Sequence, residues 1–521
     1  MNARAAVLSP ADLAALAAAG IAAGEAERQL ALLAAPPPPL RLARPCAVGD
    51  GIVRLAPGDE PALLAAAREA AARGALAKFV PASGAATRMF TGLLALAADP
   101  DAEGGRREAA AVGTSLARLA LRDRLATLLA PRGETAAALA ADPVRLARAI
   151  VGADGLDLAA LPKGLLPFHL YPEGERTAFV EHLVEGAAYL ADREGLCRFD
   201  FTVPPGTDPL FRAALAEAGE RHARRLGVRF EVRLSHQERA TDTLALAPDG
   251  TPFRQPDGRL LLRPGGHGAL LGNLEATGRE LVLVKNIDNV LPADRHAEVA
   301  HWQQLLAGLA LTLTARRDAM LRALAAAPAR ETIRAAATLL AALADPEAAA
   351  LGAEPSPAHL RDRLRRPLRV CGVVRNEGEP GGGPFWVRDE AGRESLQIVE
   401  GAQVARSDPE QAAIWRASTH FNPVQLACAL RDERGKPFPL ARFVDETAVV
   451  IAEKREGSRP LRALERPGLW NGAMARWHTV FVEVPVAIFA PVKTLLDLAR
   501  PEHQAGAAPP VDTVSARPSA G

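Results

Sequence analysis

The sequence predicts an α/β fold, and two observations carry that reading. Short runs such as "AKFVPAS", "RFDFTV", "VRFEVRLS", "TLALAP", "RLLLRPG", "ELVLVKNID", "LRVCGVV", "SLQIVE" and "TVFVEVP" are rich in branched and aromatic residues and bounded by Gly, Pro or Asp, as strands are. Between them, at about 91–160 and 296–366, Ala, Leu and Arg dominate and apolar residues recur at helical spacing, as in "SLARLALRDRLATLLA" and "HWQQLLAGLALTLTARRDAMLRALAA". Strands interleaved with helices call for a helix-flanked sheet rather than a bundle or a sandwich. At 521 residues the chain can bury a substantial core.

Taken in order, the alanine-rich opening reads as two short helices. Ser9-Pro10 caps the first, Gly20 ends it, and the proline run from Pro36 stops the second. Asp12, Glu25, Glu27 and Arg28 interrupt the alanines without a basic leader, so neither a signal peptide nor an anchor is expected. We divide the chain into N-terminal helices and lead-in (1–70), a main α/β domain (71–500) holding the two helical insertions, and a tail (501–521) expected to be disordered. Lys plus Arg (62) nearly cancel Asp plus Glu (61), so no global basic field draws in nucleic acid and any anion site must be local. Cys46, Cys197, Cys371 and Cys428 lie far apart with no CxxC spacing, which argues against a disulfide framework or structural zinc and for a reducing cytoplasm. No run of about twenty apolar residues is uncharged, so no membrane span is expected.

Three stretches carry candidate chemistry. In "KFVPASGAATRMF" a strand leads through Ala82, Ser83, Gly84, Ala85 and Ala86 to a helix beginning near Thr87 and Arg88; tiny residues before a helix N-terminus leave backbone N–H groups open to an anion, and Arg88 adds a fork of donors. Lacking GK[ST], a second fingerprint glycine and the GxSxG pattern, the turn is no Walker loop, dinucleotide fingerprint or hydrolase elbow, and by itself it fits a tight core corner equally well. In "LLLRPGGHGALLGNLE", Gly265, Gly266 and Gly268 let backbone approach a flat ligand while His267 can hydrogen-bond it; the plainer reading is a connection whose glycines supply positive φ. "LVLVKNIDNVLP" bunches Lys285, Asn286, Asp288 and Asn289 at the end of an apolar strand, where open α/β sheets bind ligands and where Asp288 could hold Mg²⁺; an Asn/Asp turn satisfies the same pattern. His296 and His301 are five residues apart and do not share the face that a zinc HExxH helix needs. "NEGEPGGGPFWV", with Glu377 and Glu379, reads as a lid or a long hairpin turn.

Together with "THFNPVQL", "PGLWNGAMARW" and "PVKTLLDLARPEHQ", these stretches resemble the signatures of a bacterial family of unknown function over nearly the whole chain. In the same order they also resemble the pyrophosphorylases that make UDP-N-acetylglucosamine and UDP-glucose. That resemblance implies a Rossmann-like nucleotide-diphospho-sugar transferase fold of GT-A type, with a mixed sheet and helical insertions. The residues Ser83 to Phe90 are similar to the family's GGxGTRLG triphosphate loop, with Ser83 and Ala86 in glycine positions, and Pro162-Lys163-Gly164 to its Pro-Lys-Gly. Pro264 to Gly268 resembles its uracil-binding turn, "KNIDN" its metal-proximal strand end, "LQIVEGAQV" its sugar-contacting strand through Glu400, "THFNPVQL" its Phe-Asn strand through Asn422, and "FAPVKTLLDL" its Pro-Val-Lys-Thr through Lys493. About seventy residues separate Arg88 from Lys163, an insertion that is tolerable if its ends stay close.

The resemblance thus implies Arg88, Lys163 and Lys493 as catalytic residues, Ala82, Ser83, Gly84, Thr87, Gly265, Gly266, His267 and Gly268 as nucleotide-binding, Asn289, Glu400 and Asn422 as sugar-binding, and Asp288 as a ligand of Mg²⁺. The expected partners are a nucleoside triphosphate, UTP in the first place, and a sugar 1-phosphate or nucleotide-sugar. Two alternatives accompany this expectation. A non-catalytic nucleotide-sugar sensor is suggested by Ser83 and Ala86, and a hydrolase using Ser83 or His267 would need a base and an orienting group that the sequence does not reveal.

Overall fold

The computed structural model describes residues 8–506, apart from 85, 327, 353, 354, 377, 379 and 380. Its centre is a nine-stranded sheet made of β1 (Ala47–Val48), β2 (Gly51–Val53), β3 (Leu76–Pro81), β4 (Leu196–Thr202), β5 (Arg229–Ser235), β6 (Leu281–Lys285), β7 (Leu368–Arg375), β8 (His420–Ala429) and β9 (His478–Glu483). The strand order is β1-β2-β9-β7-β8-β6-β3-β4-β5. Only β8 runs antiparallel to its neighbours β6 and β7; the other pairings in this sheet are parallel. The sheet is therefore mixed, and the carboxyl ends of the parallel strands open on the edge where β8 begins.

Every residue of β6 is buried, because both faces of the sheet are covered and an apolar run is satisfied on each. Leu281 and Leu283 face one core with helices α1 (Ala178–Leu190) and α2 (His296–Ala325), while Val282 and Val284 face a second core with Leu274, Leu440 and Leu469. Helix α2 crosses Glu60–Ala72 closely: a Cβ on Gly308 would lie 2.0 Å from the Leu63 carbonyl oxygen, so only glycine permits the contact.

The two helical insertions are helical as the periodicity implies. The first is a set of short helices, Thr91–Ala98, Glu103–Ser115, Arg122–Leu129, Ala136–Ala140 and Pro143–Val151; the second holds α2, Arg330–Ala342 and Pro357–Leu364. At the N-terminus, Ser9 and Asp12 form a capping box on Pro10–Ala18, and helix Ala23–Ala34 packs Leu30 and Leu33 against Leu246 and Leu464. Those two leucines lie in the three-stranded sheet of Ala245–Leu246, Arg459–Glu465 and Val450–Glu456.

Two sequence readings need correction. "RLLLRPG" forms no strand: it makes only isolated bridges, Arg254 with Leu260 and Thr243 with Arg263, because the turn at Gly258 and the missing N–H of Pro264 leave too short a ladder. "TLALAP" shrinks to Ala245–Leu246 in the small sheet. The glycine turn at 265–268 is therefore not a second strand–turn–helix unit of the large sheet. Glu377 and Glu379, and the tail beyond residue 506, lie outside the described residues.

Candidate active site

The carboxyl edge of the sheet gathers the cations singled out from the sequence. After β6, the turn through Asn286 brings Asp288 to the edge, where its carbonyl accepts from Val492 N at 3.0 Å. Lys163, on a 3₁₀ turn that follows the first insertion, donates from Nζ to Asp288 Oδ2 at 2.8 Å and to the Val492 carbonyl at 2.6 Å. Lys493 reaches the same oxygen at 2.9 Å. Asp497 fixes the Lys493 backbone by accepting from Lys493 N and Thr494 N at 2.8 and 2.7 Å. Sequence reading missed Asp497, although Thr494 to Asp497 has capping-box spacing.

Burial alone would raise the pKa of Asp288, but the facing Lys163 and Lys493 hold it below the usual carboxylate range. Lys163 is pushed below the ordinary lysine range, chiefly by burial and further by Lys493 and Arg88, against the pull of Asp288. The Ala86–Phe90 turn that carries Arg88 packs against the Leu158–Ala160 turn just before Lys163, so the first insertion does bring its two ends together. Two ammonium groups share one carboxylate here, and Arg88 has no carboxylate partner among the described residues.

Arg88 follows the small-residue turn after β3. Ala82 is fully buried and its N–H donates to the Thr202 carbonyl at 2.8 Å, which pins the turn's entry to β4. Ser83 is half-buried, whereas Gly84, Thr87 and Arg88 are exposed. Ala86 packs its methyl into the core with Met89 and Phe90, so its Cβ is turned inward.

Asn289 links this cluster to β8: its Nδ2 donates to the Pro423 carbonyl at 3.4 Å and its Oδ1 accepts from Ala490 N at 3.3 Å. Asn422 N donates to the Gly382 carbonyl at 2.9 Å, and its Oδ1 accepts from Val424 N at 3.2 Å. Val424 is held at φ +57°, a conformation that costs a β-branched residue about 1–3 kcal/mol, where the register of β8 on β7 slips. Beyond Asn422 lies a cavity of about 490 Å³ lined by Gly382, Glu400, Arg406, Trp415, His420 and Phe421. Trp415 stacks on Phe385 and carries the Arg406 guanidinium over its ring at 5.3 Å. Another cavity, of about 390 Å³, opens at the opposite edge near Arg73, Glu280 and Arg431 and contains none of the candidate residues.

Glu400, its pKa raised by burial, stands 3.7 Å from His267 Nε2. His267 stacks on Trp470 with centroids 4.1 Å apart, and its Nδ1 accepts from Leu469 N at 3.0 Å. That bond and burial, which pushes the ring's pKa down to about 4, keep the imidazole neutral with its proton on Nε2. Of the neighbouring glycines, Gly266 takes φ +77° and Gly268 abuts the Pro467 carbonyl, which a Cβ would meet at 2.0 Å. Local packing therefore explains both, and Gly265 abuts the Thr241 carbonyl in the same manner. Contacts thus run from Asp288 and its lysines through Asn289 to β8, and from the cavity beyond Asn422 through Glu400 to His267.

Among the described residues no group of three or more His, Cys, Asp or Glu is placed to hold a metal. Asp288 offers a single carboxylate whose Oδ2 already accepts from two ammonium groups. This donor set does not make a resident cation site; it fits Mg²⁺ only as an ion whose remaining ligands are nucleotide phosphates and water. No helix among the described residues is long and apolar enough to cross a membrane.

A family model described as a domain of unknown function, DUF4301, matches residues 9–504. The chain belongs to this family. No curated protein matches this DUF4301 member. Solved structures similar to it include the UDP-N-acetylglucosamine pyrophosphorylase of Trypanosoma brucei with an inhibitor, at 14% identity over 88% of this chain and 72% of that one, TM-score 0.46. A mutant UDP-glucose pyrophosphorylase of Leishmania major with UDP-glucose shares 14% identity over 96% and 79%, TM-score 0.43. A UDP-glucose phosphorylase of Trypanosoma brucei shares 13% identity over 94% and 77%, TM-score 0.46.

Proposed function

We propose that this DUF4301 protein is a nucleotidyltransferase that joins a nucleoside triphosphate, UTP in the first place, to a sugar 1-phosphate and releases pyrophosphate. The observation that carries the reading is the convergence of Lys163 and Lys493 on one carboxylate at the carboxyl edge of the sheet, with Arg88 on the turn after β3. A phosphate oxygen of the sugar 1-phosphate attacks the α-phosphorus as the bond to the β-phosphate bridging oxygen breaks opposite it. Such a step calls for alignment and charge neutralisation more than for a covalent nucleophile.

In this reading Arg88 neutralises the departing pyrophosphate, Lys163 the α-phosphate and Lys493 the sugar phosphate. Ser83, Gly84 and Thr87 line the triphosphate's path, whereas Ala82, expected from the sequence to bind nucleotide, is buried with its N–H bonded to the Thr202 carbonyl and only anchors the turn. The base lies by the Gly265–Gly268 turn and the His267–Trp470 stack, and the sugar enters the cavity beyond Asn422, facing Glu400 and Asn289. Asp288 would face a Mg²⁺ ion that came in with the nucleotide phosphates, and such an ion would supply further charge neutralisation there.

The sensor reading keeps one supporting observation, the half-buried Ser83 in a glycine position. The hydrolase reading has none: the Nδ1 lone pair of His267 is taken by the Leu469 N–H, and among the described residues no histidine or carboxylate bonds the Ser83 hydroxyl. A screen of nucleoside triphosphates against sugar 1-phosphates, followed by pyrophosphate release with calorimetry alongside, tests the proposal. Turnover with at least one pair supports it; tight nucleotide binding without turnover on any pair selects the sensor instead.

A further inference from the structure

Beneath the candidate site lies a buried ionic unit that the proposed chemistry does not use. Lys78 Nζ donates to Glu185 Oε1 at 2.9 Å and to the His182 carbonyl at 3.2 Å, and Lys285 Nζ donates to Glu185 Oε2 at 2.6 Å. Tyr189 OH adds a hydrogen bond to Glu185 Oε1 at 3.1 Å. The three charged side chains are sealed from solvent, at 0, 0 and 1% exposure for Lys78, Glu185 and Lys285.

Such a unit is a poor device for stability. Withdrawing three charges from water costs several kcal/mol per ion, and apolar side chains of similar volume often hold a core as well or better. Its placement suggests another use. Lys78 sits in β3, just ahead of the turn that begins at Ala82; Lys285 ends β6, just ahead of Asp288. The two strands are adjacent and parallel, so a single carboxylate ties together the roots of both loops.

The same helix α1 grips the rest of the second loop. His182 Nε2 lies 3.3 Å from the Ile287 carbonyl, and Glu181 Oε1 accepts from Tyr171 OH, which in turn accepts from Ala293 N at 2.9 Å. Asp288 and Asn289 therefore project from a segment held on both sides by one rigid element.

We infer that Lys78, Glu185 and Lys285 form a positioning unit, centred on Glu185, that fixes the Asp288 loop against the Arg88 loop and so aligns Lys163 and Lys493 with the bound phosphates. The inference rests on the proposed function for its catalytic readout but not for its structural one. Lys285→Met leaves Lys78 and Glu185 as a one-to-one pair, and Lys78→Met leaves Lys285 and Glu185; neither strands an unbalanced charge. Misplacement by about 1 Å can cost on the order of a hundredfold in rate.

Each folded variant is expected to lose at least tenfold in kcat, with KM for the nucleotide changed less than threefold. Amide hydrogen exchange is expected to quicken locally, over 286–293 in Lys285→Met and over 82–90 in Lys78→Met, while the remaining core keeps its wild-type protection. A unit that serves only folding would instead raise exchange across the whole core and leave kcat of the folded fraction intact. Either that pattern or loss of the folded state in both variants overturns the inference. If the wild-type protein transfers no nucleotidyl group, the proposed function falls, and the exchange pattern still decides for or against the positioning unit.

Discussion

Lys163 and Lys493, far apart in the sequence, donate to the same oxygen, Oδ2 of Asp288, at 2.8 and 2.9 Å. The shared carboxylate holds two ammonium groups side by side, and it competes for them with any polyanion that binds there. Asp288→Asn removes the competitor. In metal-free, low-salt buffer the variant is expected to bind pyrophosphate at least threefold more tightly by calorimetry, while its turnover falls at least tenfold because the lysines lose their alignment. Weaker pyrophosphate binding would contradict the view that Asp288 opposes the anion.

The two lysines differ in surroundings. Lys163 has 13% of its side chain exposed and a second bond to the Val492 carbonyl, whereas 60% of the Lys493 side chain is exposed. Lys493→Met is therefore expected to cost less than about 1 kcal/mol of stability, as exposed ion pairs do. Lys163→Met leaves a buried carbonyl short of a donor and is expected to cost about 1–3 kcal/mol. Both should lower turnover about a hundredfold or more. Urea unfolding beside kinetics checks the contrast, and equal stability losses would refute it.

His267 gives the account a pH signature. Its pKa in the folded chain, about 4, lies below the ordinary imidazole value, so the unfolded chain binds more protons between the two. Stability should accordingly fall as pH is lowered from about 6.5 to about 4 and then level off, with a contribution on the order of 1–3 kcal/mol. His267→Phe keeps a ring against Trp470 and should lose that part of the slope. Identical slopes in urea titrations of both proteins at pH 4.5 and 7 would show that the ring is not held neutral.

Trp415 tests the cavity. Trp415→Ala removes the wall between Phe385 and Arg406 while leaving the cation cluster untouched. The expected outcome is a rise of at least tenfold in KM for the sugar 1-phosphate with KM for the nucleotide unchanged. A rise confined to the nucleotide would place the sugar elsewhere.

Much of this arrangement was legible in the sequence because local chemistry and the fold agree there. The β6 run ends in polar residues at the carboxyl edge of the sheet, where they are buried in ion pairs and hydrogen bonds, and Ala82, Ser83 and Gly84 follow β3 ahead of a 3₁₀ helix at Ala86–Phe90. Where tertiary contacts decide, the sequence misled or stayed silent. "RLLLRPG" has strand composition but no ladder to join, and the glycines at 266 and 268 answer to a positive φ and to the Pro467 carbonyl. The pairing of Lys78 and Lys285 with Glu185 joins three distant elements and leaves no periodic trace. Val424 gave no warning either, since a β-branched residue is the last one expected in a left-handed conformation.

The central claim is that Arg88 and Lys163 neutralise charge developing on the phosphates of a nucleotide, and isotope exchange of pyrophosphate into UTP in the presence of a UDP-sugar tests it most directly. The account predicts exchange by the wild-type protein with at least one UDP-sugar, and a loss of at least a hundredfold in both Arg88→Ala and Lys163→Ala while the variants remain folded. Exchange that proceeds at the wild-type rate in either folded variant would contradict it.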